Sequence, residues 1–296
     1  MTYEELFAAA VAEARRKSVR IWDDTPPVNR SCVVDGVRLH FLDWGGHGLP
    51  PMLLIHGAMV TAHVWDFFSM EMRQHFRIYA VNLRGHGDSA WAPDGDYSRA
   101  RMAADVVELL QHLDLDQVVL IGHSLGGSVG ALAAAEEPAK MRALGLVDST
   151  LLPGPRPNLM AGLVNGPDVF ATIEEFAEHA ARFNPRRRAD RLALSLQWNA
   201  RQREDGNWTW KYDPALRQRR APDFEQVWTA LGRITCPTLF IRAAEHSHAT
   251  DAAVDRLRTL RHVRLAEVPE AGHNVMGDNP LVFSQAVRNF LELGAG

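Results

Sequence analysis

Residues 118–135 read VVLIGHSLGGSVGALAAA. This stretch begins as a continuous apolar run, typical of a strand buried on both faces, and passes through GHSLG (122–126) into an alanine-rich helix. A serine on so sharp a turn is held in a strained backbone conformation and projects outward, and its flanking positions must be glycine because a Cβ would clash there. The segment therefore predicts an α/β sheet that presents Ser124 as a candidate nucleophile.

Short apolar runs on both sides of this stretch alternate with longer helical patterns, which is typical of a mostly parallel sheet flanked by helices. The runs are MLLI (52–55), FRIYAV (76–81), QVVLI (117–121), LGLV (144–147), PTLFI (237–241) and VRLAEV (263–268). Ahead of them, SCVV and VRLHFLDW flank Asp35-Gly36, a dipeptide that suits a tight turn, so we expect a β-hairpin there. An amphipathic helix precedes the hairpin.

The alternation breaks between residues 150 and 230, where helical segments, several arginines and the tract DGNWTWKYDP occur without a convincing core strand. We interpret 150–230 as a helical cap inserted between the sixth and seventh core strands, with 1–149 and 231–296 forming the core. The arginines at 186–188 and 191 are interpreted as a solvated face, with recognition of an anionic substrate as the alternative. Trp208, Trp210 and Tyr212 are expected to pack the cap.

The composition restricts the classes of partner. The chain has 296 residues, 46% of them hydrophobic, and a formal net charge of −4. It lacks the broad basic field that drives binding to nucleic acid or anionic membranes, and no apolar run reaches the roughly 18 residues of a membrane span. We therefore expect a small-molecule substrate, with neither nucleic acid nor membrane as partner, and a homodimer is left open.

The cysteines and the first residues bear on the compartment. Cys32 and Cys236 lie far apart in sequence, beside strand-like residues, so we expect buried free thiols and no disulfide framework. Glu4, Glu5 and Glu13 interrupt the apolar positions of the first helix, unlike the uninterrupted apolar core of a secretory signal. These features predict a cytoplasmic protein.

Two further motifs complete a candidate site. The strand in MLLIHGAMV (52–60) ends at His56-Gly57, so the Ala58 N–H can act as one oxyanion donor while the Leu125 N–H, at a helix start, acts as the other. Near the end of the chain, PEAGHN (269–274) lies between a strand and a helix. A late loop histidine suits a base that reaches over the sheet to Ser124, which identifies His273.

Taken together, the HG turn, NLRGHGDS (82–89), GHSLGG and PEAGHN resemble the α/β-hydrolase superfamily over residues 30–295, excepting the cap. The resemblance implies a triad in the order serine, acid, histidine, with the acid usually an aspartate after the strand that follows the cap. Here that stretch reads IRAAEH (241–246), with His246 in the aspartate position. Asp148 and Glu245 are the alternatives, and Asp148 is favoured because a strand end is more rigid than a loop.

These residues predict a serine hydrolase that acts on a carboxylic ester, a lactone or a thioester through an acyl-enzyme, without a cofactor or a metal. Met59, His123 and Trp198 are expected to line a mostly apolar acyl or aryl pocket. The alternatives on the same scaffold are a C–C bond hydrolase and a cofactor-free oxygenase or lyase, in which the serine only positions the substrate.

Overall fold

The computed structural model describes residues 1–154, 166–182, 189–218 and 223–293. Its centre is an eight-stranded sheet in the order β1-β2-β4-β3-β5-β6-β10-β11. The pairings of β1 with β2 and of β2 with β4 are antiparallel, and all the others in this sheet are parallel. The strands are β1 (Val28–Val34), β2 (Val37–Asp43), β3 (Pro51–Ile55), β4 (Arg77–Val81), β5 (Val118–His123), β6 (Met141–Val147), β7 (Val169–Phe170), β8 (Ala200–Gln202), β9 (Trp208–Trp210), β10 (Thr238–Ala243) and β11 (Val263–Val268).

Helices flank this sheet, as the alternating pattern predicts. They are α1 (Tyr3–Arg16), α2 (Asp66–Met72), α3 (Arg99–His112), α4 (Leu125–Glu136), α5 (Ile173–Ala181), α6 (Ala189–Asn199), α7 (Phe224–Arg233), α8 (Asp251–Arg258), α9 (Val275–Asp278) and α10 (Pro280–Phe290). In the described part of the chain, none of the helices is both long and apolar enough to cross a bilayer.

The sheet is apolar on both faces because its central strands are covered on both sides. Along β3, Leu53 and Ile55 belong to one hydrophobic cluster, while Met52 and Leu54 belong to a second one. This alternation follows from the two-residue period of a strand, whose successive side chains point to opposite faces. The mostly parallel α/β architecture is therefore confirmed, and both cysteines are buried free thiols.

The predicted hairpin also forms, with β1 and β2 paired in antiparallel register from Val28–Asp43 to Val34–Val37. Asp35 and Gly36 have φ angles of 41° and 74°. Two successive positive φ angles are what a two-residue turn of type I′ requires, and Asp-Gly is a favoured sequence for it.

The segment between β6 and β10 is not purely helical, which corrects the expectation of a helical cap. Besides helices, its described residues form a three-stranded antiparallel sheet in the order β7-β9-β8. These strands have only two or three residues, too few to show a two-residue period in sequence. Phe176, Trp210 and Tyr212 are buried in the same hydrophobic cluster as Met59 and Leu125, so this segment packs onto the core.

The predicted boundary after residue 230 does not coincide with the end of a helix or strand. It falls inside α7, which contacts α4 and buries Val227, Trp228 and Leu231. The Trp228 indole N–H donates to the Leu151 carbonyl at 2.8 Å. A helix of the core and a helix of the cap show the same spacing of apolar residues, so the sequence does not tell them apart. The first clear sequence signal of the core after the cap is therefore the next strand, β10. The arginines at 186–188 lie outside the described residues, as does the side chain of residue 191.

A buried ion pair anchors the loop after β4. The guanidinium of Arg84, from the RGHGDS motif, donates to both carboxylate oxygens of Asp105 on α3, with an Nη2–Oδ1 distance of 2.6 Å. The two side chains are 1% and 0% exposed. This motif residue therefore has a structural partner, and the pair is desolvated on both sides.

Replacing Asp105 by alanine is expected to lower the free energy of unfolding by about 3–5 kcal/mol, because it leaves the Arg84 charge buried without its partner. Urea denaturation at neutral pH measures this loss. Glu108→Ala, on the same helix, is the matched control and should change stability by less than about 0.5 kcal/mol. A loss below about 1 kcal/mol in Asp105→Ala would show that the pair does not anchor the loop.

Candidate active site

The turn between β5 and α4 holds Ser124 in a strained conformation, with φ 52° and ψ −112°. A Cβ on Gly122 would lie 2.2 Å from the Gly126 carbonyl oxygen, and one on Gly126 would lie 2.4 Å from the Ile55 carbonyl oxygen. Both contacts are with backbone that cannot move aside, so only glycine fits at either position. The half-buried serine is therefore presented at the carboxyl edge of the sheet.

The loop after β3 packs directly against this turn. A Cβ on Gly57 would lie 3.3 Å from the Ser124 Cβ and 2.7 Å from His123 Nδ1. Ala58 follows Gly57 on this loop, and Leu125 is the first residue of α4, where backbone N–H groups have no partner within the helix. The two predicted oxyanion donors thus lie on the two segments that meet at Ser124.

Asp148 and His273 meet beside this turn, although they are far apart in sequence. Asp148 directly follows β6 and has a φ of 43°. His273 lies on the loop between β11 and α9, and its Nδ1 lies 2.7 Å from Asp148 Oδ2. The carboxylate is fully buried, while the imidazole is 26% exposed. Of the two candidate acids, the structure places Asp148 on His273 Nδ1, and the Glu245 side chain is exposed.

The Asp148 carboxylate accepts three hydrogen bonds besides that of His273. Its Oδ1 accepts the Ala243 N–H at 3.1 Å and the Ser247 hydroxyl, and its Oδ2 accepts the His248 N–H at 3.0 Å. Burial alone would raise the pKa of Asp148, but His273, and secondarily the Ser247 hydroxyl and the His248 N–H, lower it to about 2. The ionised form therefore stabilises the fold above about pH 4, and this contribution is lost as the pH falls through about 2.

An ionised Asp148 fixes the tautomer of His273, because a carboxylate can only accept and Nδ1 must carry the proton. Nε2 is then the ring nitrogen with a free lone pair. Among the described residues, no hydrogen bond joins the side chains of His273 and Ser124, and such a contact tightens in many enzymes only when substrate binds.

Two further histidines enclose the His273 ring. The His248 ring stacks on it with centroids 3.6 Å apart and planes 19° apart, and the His123 ring lies at 4.6 Å and 45°. Burial, and secondarily the nearby His273, lower the pKa of His248 to about 4 and that of His123 to about 3, so both are neutral at pH 7. Within the described ranges, no group of three His, Cys, Asp or Glu side chains is arranged to hold a metal ion.

The three predicted pocket residues lie in different surroundings. Met59 is 8% exposed, in the hydrophobic cluster that contains Leu125. His123 is buried, and its Nε2–H donates to the His273 carbonyl at 2.7 Å, so it positions the histidine loop. Trp198 stacks on His63 at 3.6 Å and meets Tyr3 edge-on at 5.5 Å, which places it in a packed aromatic cluster near α1.

Sequence reasoning missed Ser247 and His248, which bind Asp148 and cover the His273 ring. Their loop follows β10, where the family resemblance leads one to look for the acid itself. Their place on this loop is the one sequence signal that points to them. A loop close enough to carry a carboxylate to His273 is also close enough to contact a carboxylate that follows β6.

His56, at the end of β3, has a structural role. Its Nδ1–H donates to the Gly57 carbonyl at 2.6 Å, and its Nε2 accepts the Leu83 N–H at 3.0 Å. Both ring nitrogens are thus used in the neutral form, and complete burial lowers the pKa of His56 to about 4. A second proton would have to lie on Nε2, where it would face the Leu83 N–H, so two donors would point at each other.

The folded state therefore binds fewer protons at His56 than the unfolded state does below about pH 6.5, and stability falls as the pH falls. We expect His56→Gln to lower the free energy of unfolding by about 1–2 kcal/mol at about pH 7. Because the wild type loses stability towards about pH 5 and the variant does not, this difference in unfolding free energy should narrow by up to about 1.4 kcal/mol per pH unit. Urea denaturation across that range tests this, with the exposed His47→Gln as control. A gap that stays constant with pH would contradict it.

Comparison with known proteins adds independent findings. A family model described as the alpha/beta hydrolase family matches residues 52–286. The chain is 29% identical over 277 residues to the esterase Rv0045c of Mycobacterium tuberculosis, covering 90% of each chain. A solved structure of that esterase superposes with a TM-score of 0.78 at 25% identity, covering 97% of this chain and 98% of the other. N-formylmaleamate deformylase of Pseudomonas putida is 28% identical over 264 residues, covering 87% of this chain and 94% of the relative.

Proposed function

Because the chain belongs to the alpha/beta hydrolase family, we propose that it is a serine hydrolase that cleaves carboxylic esters through an acyl-enzyme. Ser124 is the nucleophile, His273 the general base and Asp148 the acid of the triad. The observation that carries this proposal is the 2.7 Å bond from His273 Nδ1 to a buried carboxylate, beside a serine held at a positive φ angle. A relative named as an esterase supports the choice of an ester.

In the acylation step, His273 Nε2 takes the proton of Ser124 Oγ as the oxygen attacks the ester carbonyl carbon. The carbonyl oxygen becomes an oxyanion, which the N–H groups of Ala58 and Leu125 stabilise, each contributing about 3–4 kcal/mol in such sites. As the tetrahedral intermediate collapses, the C–O bond to the alcohol breaks and the imidazolium returns the proton to the leaving oxygen.

In the deacylation step, a water molecule takes the place of the alcohol. His273 removes its proton, the hydroxide attacks the acyl carbon, and Ser124 leaves with the proton that His273 returns. Asp148 stays ionised throughout because its pKa is about 2, and it stabilises the imidazolium formed in each step. The neutral His123 and His248 add no charge that would oppose that imidazolium.

The substrate we propose is a small ester with an apolar acyl or aryl group. Met59 and Leu125 belong to one hydrophobic cluster with Trp210 and Tyr212 of the inserted segment. Apolar side chains beside a few convergent polar groups are typical of sites that bury most of an apolar ligand.

A panel of p-nitrophenyl esters of increasing acyl length tests this function in the wild-type protein. We expect hydrolysis above the uncatalysed rate, with kcat/KM rising with acyl length until the apolar surroundings are filled, because each buried methylene contributes about 0.8 kcal/mol. Failure to hydrolyse any ester of the panel would contradict ester hydrolysis. Oxygen uptake with an aromatic substrate that persists in Ser124→Ala would favour the oxygenase alternative.

Amide hydrolysis is a second candidate, favoured by the likeness to N-formylmaleamate deformylase. The same acyl-enzyme chemistry serves it, with a nitrogen leaving group that must take the proton from His273. Release of formate from N-formyl amides, with a kcat/KM above that for the best ester, would establish amide hydrolysis as the function in place of ester hydrolysis.

A further inference from the structure

The loop after β10 contacts both members of the acid–base pair. The Ser247 hydroxyl donates to Asp148 Oδ1 and accepts the Ala249 N–H at 3.0 Å. The next residue, His248, donates its backbone N–H to Asp148 Oδ2 at 3.0 Å and lays its ring flat on the His273 ring at a centroid distance of 3.6 Å. One dipeptide thus holds the acid through two hydrogen bonds and covers the base through a ring stack.

We propose that Ser247 and His248 are positioning residues for hydrolysis, which fix the Asp148 carboxylate and keep the His273 imidazole in its productive orientation. This inference rests on the proposed function, because it assigns the two residues to the same site.

Each oxygen of the Asp148 carboxylate has two donors of its own. Oδ2 faces His273 and the His248 N–H, while Oδ1 is held by the Ala243 N–H and the Ser247 hydroxyl. Because the Ser247 oxygen accepts the Ala249 N–H, its own proton is directed to Oδ1. Without this hydroxyl, Oδ1 keeps one neutral donor, so the carboxylate can rotate and Oδ2 loses its fixed position opposite His273 Nδ1.

His248 covers a His273 side chain that is partly exposed. About a quarter of that side chain is open to solvent, so water can compete for the hydrogen bond to Asp148. At a stacking distance of 3.6 Å, no water fits between the His248 and His273 rings. The His123 ring borders the same imidazole at 4.6 Å. His248 therefore restricts ring rotation and shields the Nδ1–H bond on one face.

Kinetics of matched pairs test the proposal. In His248→Ala we expect kcat to fall about 10- to 100-fold with KM within about twofold, because the base loses its orientation while substrate contacts remain. In His248→Phe, which keeps a flat ring but neither nitrogen, kcat should return to within about threefold of wild type. Ser247→Ala should lose about tenfold in kcat, and Ser247→Thr, which keeps the hydroxyl, should recover most of it.

The control is His246→Asn, an exposed neighbour with a φ of 53° that asparagine tolerates, and its kcat should equal that of wild type. Unchanged kcat in His248→Ala would overturn the role of the ring. Equal losses in His248→Phe and His248→Ala, or in Ser247→Thr and Ser247→Ala, would overturn the positioning mechanism for that residue.

A spectroscopic measurement separates this inference from the proposed function. In a Ser124→Ala background, the His273 Nδ1 proton, bonded to a carboxylate, should give a strongly downfield proton NMR signal at neutral pH. We expect the signal to persist with His248→Phe and to be lost to solvent exchange with His248→Ala. If the wild type hydrolyses no ester and this pattern still appears, positioning is supported and ester hydrolysis fails; a signal that is equally sharp in all three proteins overturns the positioning role.

Discussion

In Ser124→Ala, kcat for ester hydrolysis is expected to fall by about 10⁴- to 10⁶-fold, because removing a triad nucleophile leaves only binding and oxyanion stabilisation. Stability should change by less than about 0.5 kcal/mol, since alanine keeps the Cβ of serine and the Ser124 side chain makes no capping hydrogen bond to α4. Steady-state kinetics on the best p-nitrophenyl ester, together with thermal unfolding, measure both quantities.

The matched control lies one turn further along α4. Ser128 is fully buried, and among the described residues its hydroxyl has no hydrogen-bond partner. Ser128→Ala removes the same kind of atom one helical turn after Ser124, so its kcat should stay within about threefold of wild type. Near-normal turnover in Ser124→Ala, or equal losses in both variants, would remove Ser124 from the role of nucleophile.

The second large effect is expected in Asp148→Asn, where kcat should fall by about 10³- to 10⁴-fold. An asparagine amide is able to donate to His273 Nδ1, which would hold the imidazole with its proton on Nε2, facing Ser124. In that tautomer His273 cannot accept the serine proton. The acidic limb of the pH–rate profile and kcat at neutral pH together measure the loss.

Glu245→Gln is the control for the choice of acid. Its side chain is exposed, and it lies on the loop where the family resemblance leads one to look for the acid. We expect its kcat to remain within about threefold of wild type, since His273 Nδ1 is bound by Asp148. The reverse ranking, with Glu245→Gln the more impaired variant, would assign the acid to the later loop.

The core of the fold could be predicted from sequence because its signals are local. Strands such as 118–123 are buried on both faces and show as continuous apolar runs, and Asp35-Gly36 marks its own turn. The strands 169–170, 200–202 and 208–210 could not be predicted, since their pairing depends on packing against the core and not on a repeat in sequence.

The residues of the candidate site also differ in how far the sequence could predict them. Ser124 and His273 could be predicted as candidates because glycines and strand-to-loop transitions mark them locally. The acid could not be decided, because Asp148 and Glu245 both follow strands and only the folded sheet shows which carboxylate meets His273 Nδ1. Ser247 and His248 left almost no signal, since the hydroxyl and the backbone N–H bind Asp148, about 100 positions earlier, while the His248 ring stacks on His273, which lies later in the chain.

The central claim is that Ser124 is an activated nucleophile, and covalent labelling tests it most directly. The wild-type protein is incubated with an alkyl fluorophosphonate and examined by intact mass and peptide mapping. The result expected is a single phosphonyl adduct on Ser124, absent in Ser124→Ala, strongly slowed in His273→Ala and unaffected in Ser128→Ala. A wild-type protein that remains unlabelled, or an adduct that forms equally in Ser124→Ala, would contradict it.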